Sequence, residues 1–194
     1  MFSTNPGRRM LSRMLKRTGV ALGLATVLFT GVTTLAGPAS AAATVTAQLD
    51  SGRILVNGST VADGIDININ AAGTVVTISN TLGSVAAGPG CTQVGTATRC
   101  PAGGIDRVDV FANSGNDAIR NNTKLPSTLA GNNGIDTLNG GSNNDFLAGG
   151  FGDDTLNGNG GNDTLSGNLD FDRLNGGIGT DRCTGEVETN CELD

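Results

Sequence analysis

Hydrophobic residues recur at one position in every nine over the C-terminal part of the chain. From Gly131 the sequence reads as six consecutive nonapeptides, which end at residue 184 without an insertion. Position eight of these nonapeptides is occupied by Leu138, Leu147, Leu156, Leu165, Leu174 and Cys183. A fixed period of this kind indicates a repeat architecture, in which stacked repeats share one continuous core.

Two further positions of the nonapeptide are constant. Position one is glycine in all six copies, namely Gly131, Gly140, Gly149, Gly158, Gly167 and Gly176. Position six is aspartate in all six, namely Asp136, Asp145, Asp154, Asp163, Asp172 and Asp181. Glycine reaches left-handed backbone angles at little steric cost, which suits a tight turn. Where positions two and four are not glycine, they are Asn132, Asn143, Asn159, Asn168 and Asp170, and both residue types tolerate the same angles.

This pattern resembles the calcium-binding nonapeptide G-G-x-G-x-D-x-U-x of the RTX family, in which U is a large apolar residue. The resemblance implies an all-β fold, a parallel β-roll or β-helix solenoid. In it, the first six residues of each repeat form a calcium-binding turn and the last three form a short strand. Calcium prefers about six to eight oxygen ligands. Turn carbonyls and aspartates of two stacked turns supply such ligands.

The resemblance also implies that two repeats complete one coil, so that alternate repeats stack. The aspartates then form two ladders, one through Asp136, Asp154 and Asp172 and the other through Asp145, Asp163 and Asp181. A weaker copy of the repeat at 112–120 adds Asp117 to the first ladder, whereas the turn near Ser127 has no aspartate. With one ion in each gap, we expect about four or five calcium ions.

Calcium is expected to control folding. Without it the ladder carboxylates repel one another, and the narrow leucine column offsets this poorly. We therefore expect residues 112–184 to be largely disordered at low calcium and to fold when calcium binds, because a ligand that binds only the folded state stabilises it.

Residues 44–111 are predicted to be β-rich. Hydrophobic and polar residues alternate over 44–49, 65–69 and 74–79, which is typical of strands. The segment 58–66 keeps Gly58, Asp63 and Ile65 at positions one, six and eight, and we interpret it as a diverged repeat. The region is thus expected to continue the solenoid irregularly, with a small separate β-sandwich as the alternative.

The N-terminus resembles an export signal. A basic segment at 8–17 precedes an apolar stretch at 19–37 and the small residues Ala39-Ser40-Ala41, which predicts a signal peptide over 1–41. Cleavage is expected after Ala41, or after Ala43 as second choice, and a retained membrane anchor is the alternative. Arg8-Arg9 leaves the choice between the Sec and twin-arginine routes open. Cleavage would give a secreted, extracellular protein without a stable membrane span, and association with the cell surface is left open.

The four cysteines are expected to form disulfides, because export places them in an oxidising compartment. Of the three possible connectivities we favour neighbour pairing, Cys91–Cys100 and Cys183–Cys191. The second bridge would fold the tail, residues 185–194, back over the last coil as a cap, which solenoids require. The expected organisation is therefore a signal peptide (1–41), a β-rich region (44–111), an RTX β-roll (112–184) and a disulfide cap (185–194).

Charge and composition restrict the function further. Beyond residue 17 the chain has seven basic side chains against eighteen acidic ones, which disfavours nucleic acid as a partner and suits cations. The chain has no histidine, so Ser-His-Asp and H-E-x-x-H catalysis are excluded. We therefore expect a calcium-binding structural protein that is not an enzyme. The alternative is a calcium-dependent adhesion or polysaccharide-binding module, whose partner would be a cell-surface polysaccharide or protein.

Overall fold

The computed structural model describes residues 44–193; the predicted signal peptide lies outside this range. The described residues form seventeen strands and no helix, and hence no helix that could cross a membrane. The strands are β1 (Val45–Asp50), β2 (Arg53–Asn57), β3 (Gly64–Ile69), β4 (Val75–Asn80), β5 (Val85–Ala87), β6 (Thr92–Val94), β7 (Ala97–Pro101), β8 (Arg107–Phe111), β9 (Ala118–Asn122), β10 (Ser127–Asn133), β11 (Thr137–Asn139), β12 (Phe146–Phe151), β13 (Thr155–Gly160), β14 (Thr164–Leu169), β15 (Arg173–Ile178), β16 (Arg182–Thr184) and β17 (Val187–Thr189).

The strands form two sheets, and from β8 onward successive strands alternate between them. The first sheet has the order β16-β14-β12-β10-β8-β2-β1-β5, and the second has the order β17-β15-β13-β11-β9-β3-β4-β7-β6. Strands such as β10 and β12, or β13 and β15, pair in parallel. One coil therefore consists of one strand from each sheet and two turns, which confirms the predicted parallel β-solenoid.

The nine-residue period fixes the strand register. Leu147 pairs with Leu129 and with Leu165 in the first sheet, and Leu156 pairs with Leu138 and Leu174 in the second. All six side chains are at most 2% exposed. The position-eight residues thus form the predicted inward-facing leucine column, one stack from each sheet.

The strands extend further than the resemblance implies. From β12 to β15 each strand has six residues and continues into positions one to three of the next repeat. The expected three-residue strand is therefore too short for these four strands, whereas β11 and β16 have the expected three residues. The cause of the longer strands is that parallel pairing persists into these positions, as between Asn159 and Gly177.

The N-terminal region adds one irregular coil and then a set of antiparallel strands. β2 and β3 pair in parallel with β8 and β9, as expected of a continued solenoid rather than of a separate sandwich. Beyond them, β1 pairs antiparallel with β2, and β4 with β3 and β7. The hairpin of β6 and β7 carries the Cys91–Cys100 disulfide.

The tail covers the other end of the solenoid. β17 pairs in parallel with β15, and the N–H groups of Glu192 and Leu193 both donate to the Asp181 carbonyl. The Cys183–Cys191 disulfide joins β16 to the tail. Both disulfides have the pairing expected from the sequence.

Candidate metal-binding ladders

Every position-six aspartate points into the solenoid. Successive side chains of an extended backbone alternate between its two sides, so an aspartate at position six lies on the same side as the leucine at position eight. The seven predicted ladder aspartates are at most 4% exposed. They are Asp117, Asp136, Asp145, Asp154, Asp163, Asp172 and Asp181.

Backbone hydrogen bonds connect these aspartates from coil to coil. In the first ladder the Asp136 N–H donates to Oδ1 of Asp154 at 2.7 Å, and the Asp154 N–H donates to Oδ1 of Asp172 at 2.8 Å. The Asp117 N–H donates to Asp136 in the same way. The second ladder repeats the pattern through Asp145, Asp163 and Asp181. The structure therefore brings together the aspartates that the sequence assigned to each ladder.

The second carboxylate oxygen of most ladder aspartates is buried and has no hydrogen-bond partner within residues 44–193. These unpaired oxygens are Oδ2 of Asp117, Asp136, Asp154, Asp163, Asp172 and Asp181. Burial of a carboxylate oxygen without a donor is unfavourable. Six such atoms in a regular array therefore fit the binding of a cation better than they fit isolated defects.

Five of the six unpaired oxygens lie beside a position-one glycine, and the exception is Oδ2 of Asp117, whose repeat has Ala112 at that position. A Cβ on Gly149 would collide with Oδ2 of Asp154 and would lie 2.8 Å from the carbonyl oxygen of Gly167, one coil further on. At every position-one glycine, a Cβ would collide with the aspartate of the same repeat. These glycines are Gly131, Gly140, Gly149, Gly158, Gly167 and Gly176. Glycine at position one therefore leaves room for the carboxylate and places a backbone carbonyl near it.

The ladder environment disfavours negative charge. Burial, with the neighbouring carboxylates as a smaller cause, raises the pKa of Asp117 and Asp154 to about 7 and that of Asp163 to about 6. Burial also raises the pKa values of Asp136, Asp145 and Asp172. A cation in the ladder would reverse this effect, because an opposite charge favours the ionised carboxylate.

Asp145 is the exception among the seven. Its Oδ2 accepts the N–H of Gly141 at 2.6 Å, and its Oδ1 accepts both the N–H and the hydroxyl of Ser127. The left-handed conformation expected at positions two and four occurs at Asn132, Asn159, Asn168 and Asp170 but not at Asn143. The expectation for Asn143 is therefore wrong. Its turn takes another path, in which protein donors satisfy the carboxylate.

The carboxylate ladders extend beyond the predicted aspartates. At the N-terminal end, the Asp63 N–H donates to Oδ1 of Asp117, while Ser59 and Asn80 donate to the two oxygens of Asp63. At the C-terminal end, glutamates of the tail accept the N–H groups of Asp172 and Asp181. These glutamates were missed in the sequence because they do not follow the nine-residue period.

A second, outer set of side chains supports the turns. At position five, Oδ1 of Asn144 accepts the N–H of Asn162, and Oδ1 of Asp153 accepts the N–H of Phe171. Asp153 is exposed whereas Asp154 is fully buried. The two adjacent carboxylates thus lie on opposite sides of the backbone and have different roles.

The possible ligands are oxygens only. No group of three or more His, Cys, Asp or Glu side chains within residues 44–193 is close enough to hold a metal ion. A cation in the ladders would therefore take many of its ligands from backbone carbonyls. This donor set fits calcium, which binds carboxylate and carbonyl oxygens in flexible geometry.

Comparison with known proteins supports this interpretation. Residues 128–156 and 157–187 match the family model of the RTX calcium-binding nonapeptide repeat (4 copies). The resemblance identified from the sequence is therefore confirmed for this part of the chain. No curated protein and no solved structure matches the chain.

Proposed function

We propose that this chain, which carries RTX calcium-binding nonapeptide repeats, is an extracellular calcium-binding β-roll whose repeats fold when calcium binds. The observation that carries the proposal is the array of six buried carboxylate oxygens without donors. Bound calcium would supply the positive charge that these oxygens lack. The ladder aspartates and the carbonyls of the position-one glycines would hold it.

The unpaired oxygens refine the expected number of ions. Four of them lie in gaps between two aspartates, namely those of Asp117, Asp136, Asp154 and Asp163. The gap between Asp145 and Asp163 is less suitable for an ion, because the Gly141 N–H already donates to Oδ2 of Asp145. About four ions between aspartates therefore agree best with the geometry.

Residues 44–111 are proposed to fold without calcium and to serve as the scaffold for the repeats at 112–184. This region has its own buried aliphatic side chains, among them Ile54 and Ile67. Its buried Asp109 is paired with Arg53 and Arg107, each at 2.8 Å. The two regions therefore differ in their buried carboxylates, since arginines pair with Asp109 in one and calcium would balance the aspartates of the other.

An extracellular location agrees with this chemistry. Disulfides persist mainly outside the cytosol, and the chain has two of them. Extracellular calcium modules have dissociation constants of about 10⁻⁴–10⁻³ M, which calcium outside the cell can satisfy. We propose a structural role without catalysis, since the one adjacent acidic pair in the repeats is divided between the two sides of the backbone.

A second candidate function is adhesion or polysaccharide binding. Phe151 and Leu169 are adjacent in the register of the first sheet, and both are more than 50% exposed. Phe171 is also exposed and lies under the Arg173 guanidinium, 5.3 Å from the ring centroid. Exposed apolar side chains grouped in this way can mark an interaction surface. A Phe151→Ser variant that binds cell-surface polysaccharide as well as the original would argue against this candidate.

Calcium uptake tests the main proposal. Purified protein is titrated with calcium in an isothermal calorimeter and, in parallel, with magnesium. The proposal predicts uptake of several calcium ions per chain and much weaker binding of magnesium, which requires near-ideal octahedral geometry. Absence of calcium uptake at millimolar concentration would contradict it.

A further inference from the structure

The C-terminal tail ends both carboxylate ladders with a glutamate. We propose that Glu186 and Glu192 complete two further calcium sites, in which they take the place of the position-six aspartates of a following coil. This proposal rests on the calcium-binding function proposed above. It adds two sites at the end of the solenoid to those that lie between aspartates.

The first observation is that the glutamates make the hydrogen bond of a ladder aspartate. The Asp172 N–H donates to Oε2 of Glu186 at 2.9 Å, just as the Asp154 N–H donates to Asp172 at 2.8 Å. The Asp181 N–H donates to Oε2 of Glu192 at 2.8 Å. Each glutamate therefore accepts the backbone N–H of the last aspartate in its ladder, just as each ladder aspartate accepts the N–H of the aspartate one coil before it.

The second observation is independent of the glutamates. Oδ2 of Asp172 and Oδ2 of Asp181 are unpaired within the described part of the chain, and both residues have no exposed surface. The tail packs against these two residues in the place that a following coil takes elsewhere in the solenoid. Whatever balances these two oxygens must therefore lie between the last aspartates and the tail.

The direction of the unpaired oxygens supports this placement. In the interior, Oδ2 of Asp163 and the Gly176 carbonyl, one coil further on, both crowd the position of a Cβ on Gly158. At the end of the ladder, Oδ2 of Asp181 and the Asn190 carbonyl crowd the corresponding position on Gly176. Beside Asp181 the tail thus supplies a carbonyl as well as a carboxylate, which is the donor pair of an interior gap.

The tail reaches these positions through a shortened turn. Glu186 and Glu192 follow their aspartates by 14 and 11 residues, whereas ladder aspartates of the six nonapeptides are 18 residues apart. The disulfide between Cys183 and Cys191 holds Cys191, the neighbour of Glu192, against strand β16. Glutamate is one methylene longer than aspartate, so it can reach back to the ladder from this shorter connection.

Glutamine variants separate calcium binding from simple capping. Glutamine keeps a side-chain oxygen that accepts the Asp172 and Asp181 N–H groups, but it lacks the charge. The matched control is Glu188→Gln, which removes the same charge from the tail at an exposed residue whose Oε1 accepts the Gly185 N–H. Equilibrium dialysis at saturating calcium then counts the ions bound by each protein.

The proposal predicts two fewer calcium ions in the Glu186→Gln/Glu192→Gln double variant and one fewer in each single variant, with no change in Glu188→Gln. Circular dichroism in calcium checks that the variants are folded. If the double variant does not fold, the ion counts of the two single variants decide the result. An unchanged ion count in the glutamine variants would overturn the proposal and leave the glutamates as backbone caps. Absence of calcium binding in the unmodified protein would instead refute the proposed function itself.

Discussion

Replacement of Asp154 by asparagine is predicted to have opposite effects on stability with and without calcium. Asparagine keeps the oxygen that accepts the Asp136 N–H at 2.7 Å. Its amide nitrogen takes the place of the unpaired Oδ2, which lies beside Gly149, as does the Gly167 carbonyl. The substitution therefore preserves shape and hydrogen bonding and removes one negative charge.

The magnitude without calcium follows from the pKa of Asp154. Burial raises this pKa from 3.8 to about 7, so that ionisation at pH 8 destabilises the folded repeats by an amount on the order of 4 kcal/mol. The variant does not incur this penalty. In chelator at pH 8 we therefore expect Asp154→Asn to have more strand structure than the original protein.

The magnitude with calcium follows from the lost ions. Asp154 borders two gaps, and each bound ion stabilises the fold by about 2.7 kcal/mol at one hundred times its dissociation constant. Loss of both ions removes about 5 kcal/mol of stabilisation by calcium, which outweighs the gain of about 4 kcal/mol from the removed charge. In calcium the variant is therefore expected to be less stable than the original protein.

Urea unfolding in saturating calcium and the strand signal in chelator, both followed by circular dichroism, measure the two effects. The control is Asp153→Asn, which removes an equal charge one residue away, at a position where asparagine already accepts the same hydrogen bond in Asn144. This control is expected to change stability by less than about 0.5 kcal/mol in both conditions. If Asp154→Asn were destabilising to the same extent with and without calcium, the aspartate would have only a structural role.

Three further predictions concern protons, glycine and the leucine column. In calcium-free buffer the protein should be more stable at pH 5 than at pH 8, because the folded state holds protons on Asp117 and Asp163 that the unfolded state releases. Thermal melting at the two pH values measures this difference. A higher melting temperature at pH 8 would contradict it. Gly149→Ala should destabilise the calcium-bound protein by about 1–3 kcal/mol, since its Cβ would collide with the ladder. Gly103→Ala, where a Cβ meets nothing within 4 Å, should have no measurable effect, and equal urea midpoints for the two variants would refute the argument. Leu156→Ala should lower the free energy of unfolding by about 3 kcal/mol, because Leu156 is fully buried, and a loss below about 1 kcal/mol would show that the column is loosely packed.

The regular part of the fold could be predicted from the sequence because every repeat has the same length. A constant period gives each strand the same register, so Leu138, Leu156 and Leu174 must stack if any two of them do. The aspartates two positions before them follow by the alternation of side chains. The period therefore predicts which aspartates of the nonapeptides share a ladder.

The irregular features could not be predicted because each depends on a contact distant in sequence. The Asp63 N–H donates to Asp117 across 54 residues, since strands β4 to β7 are inserted between the two coils. The conformation around Asn143 depends on Ser127, which replaces an aspartate in the neighbouring turn. The tail glutamates lie outside the nine-residue period, and only the folded tail brings them to the ladders.

The central claim is that calcium and the ladder carboxylates fold the repeats together. Its most direct test is far-ultraviolet circular dichroism of the purified protein at neutral pH, during a calcium titration that begins in excess chelator. We predict a strand signal that grows cooperatively, with a midpoint at about 0.1–1 mM calcium. A strand signal that is complete in chelator and does not change on addition of calcium would contradict the claim.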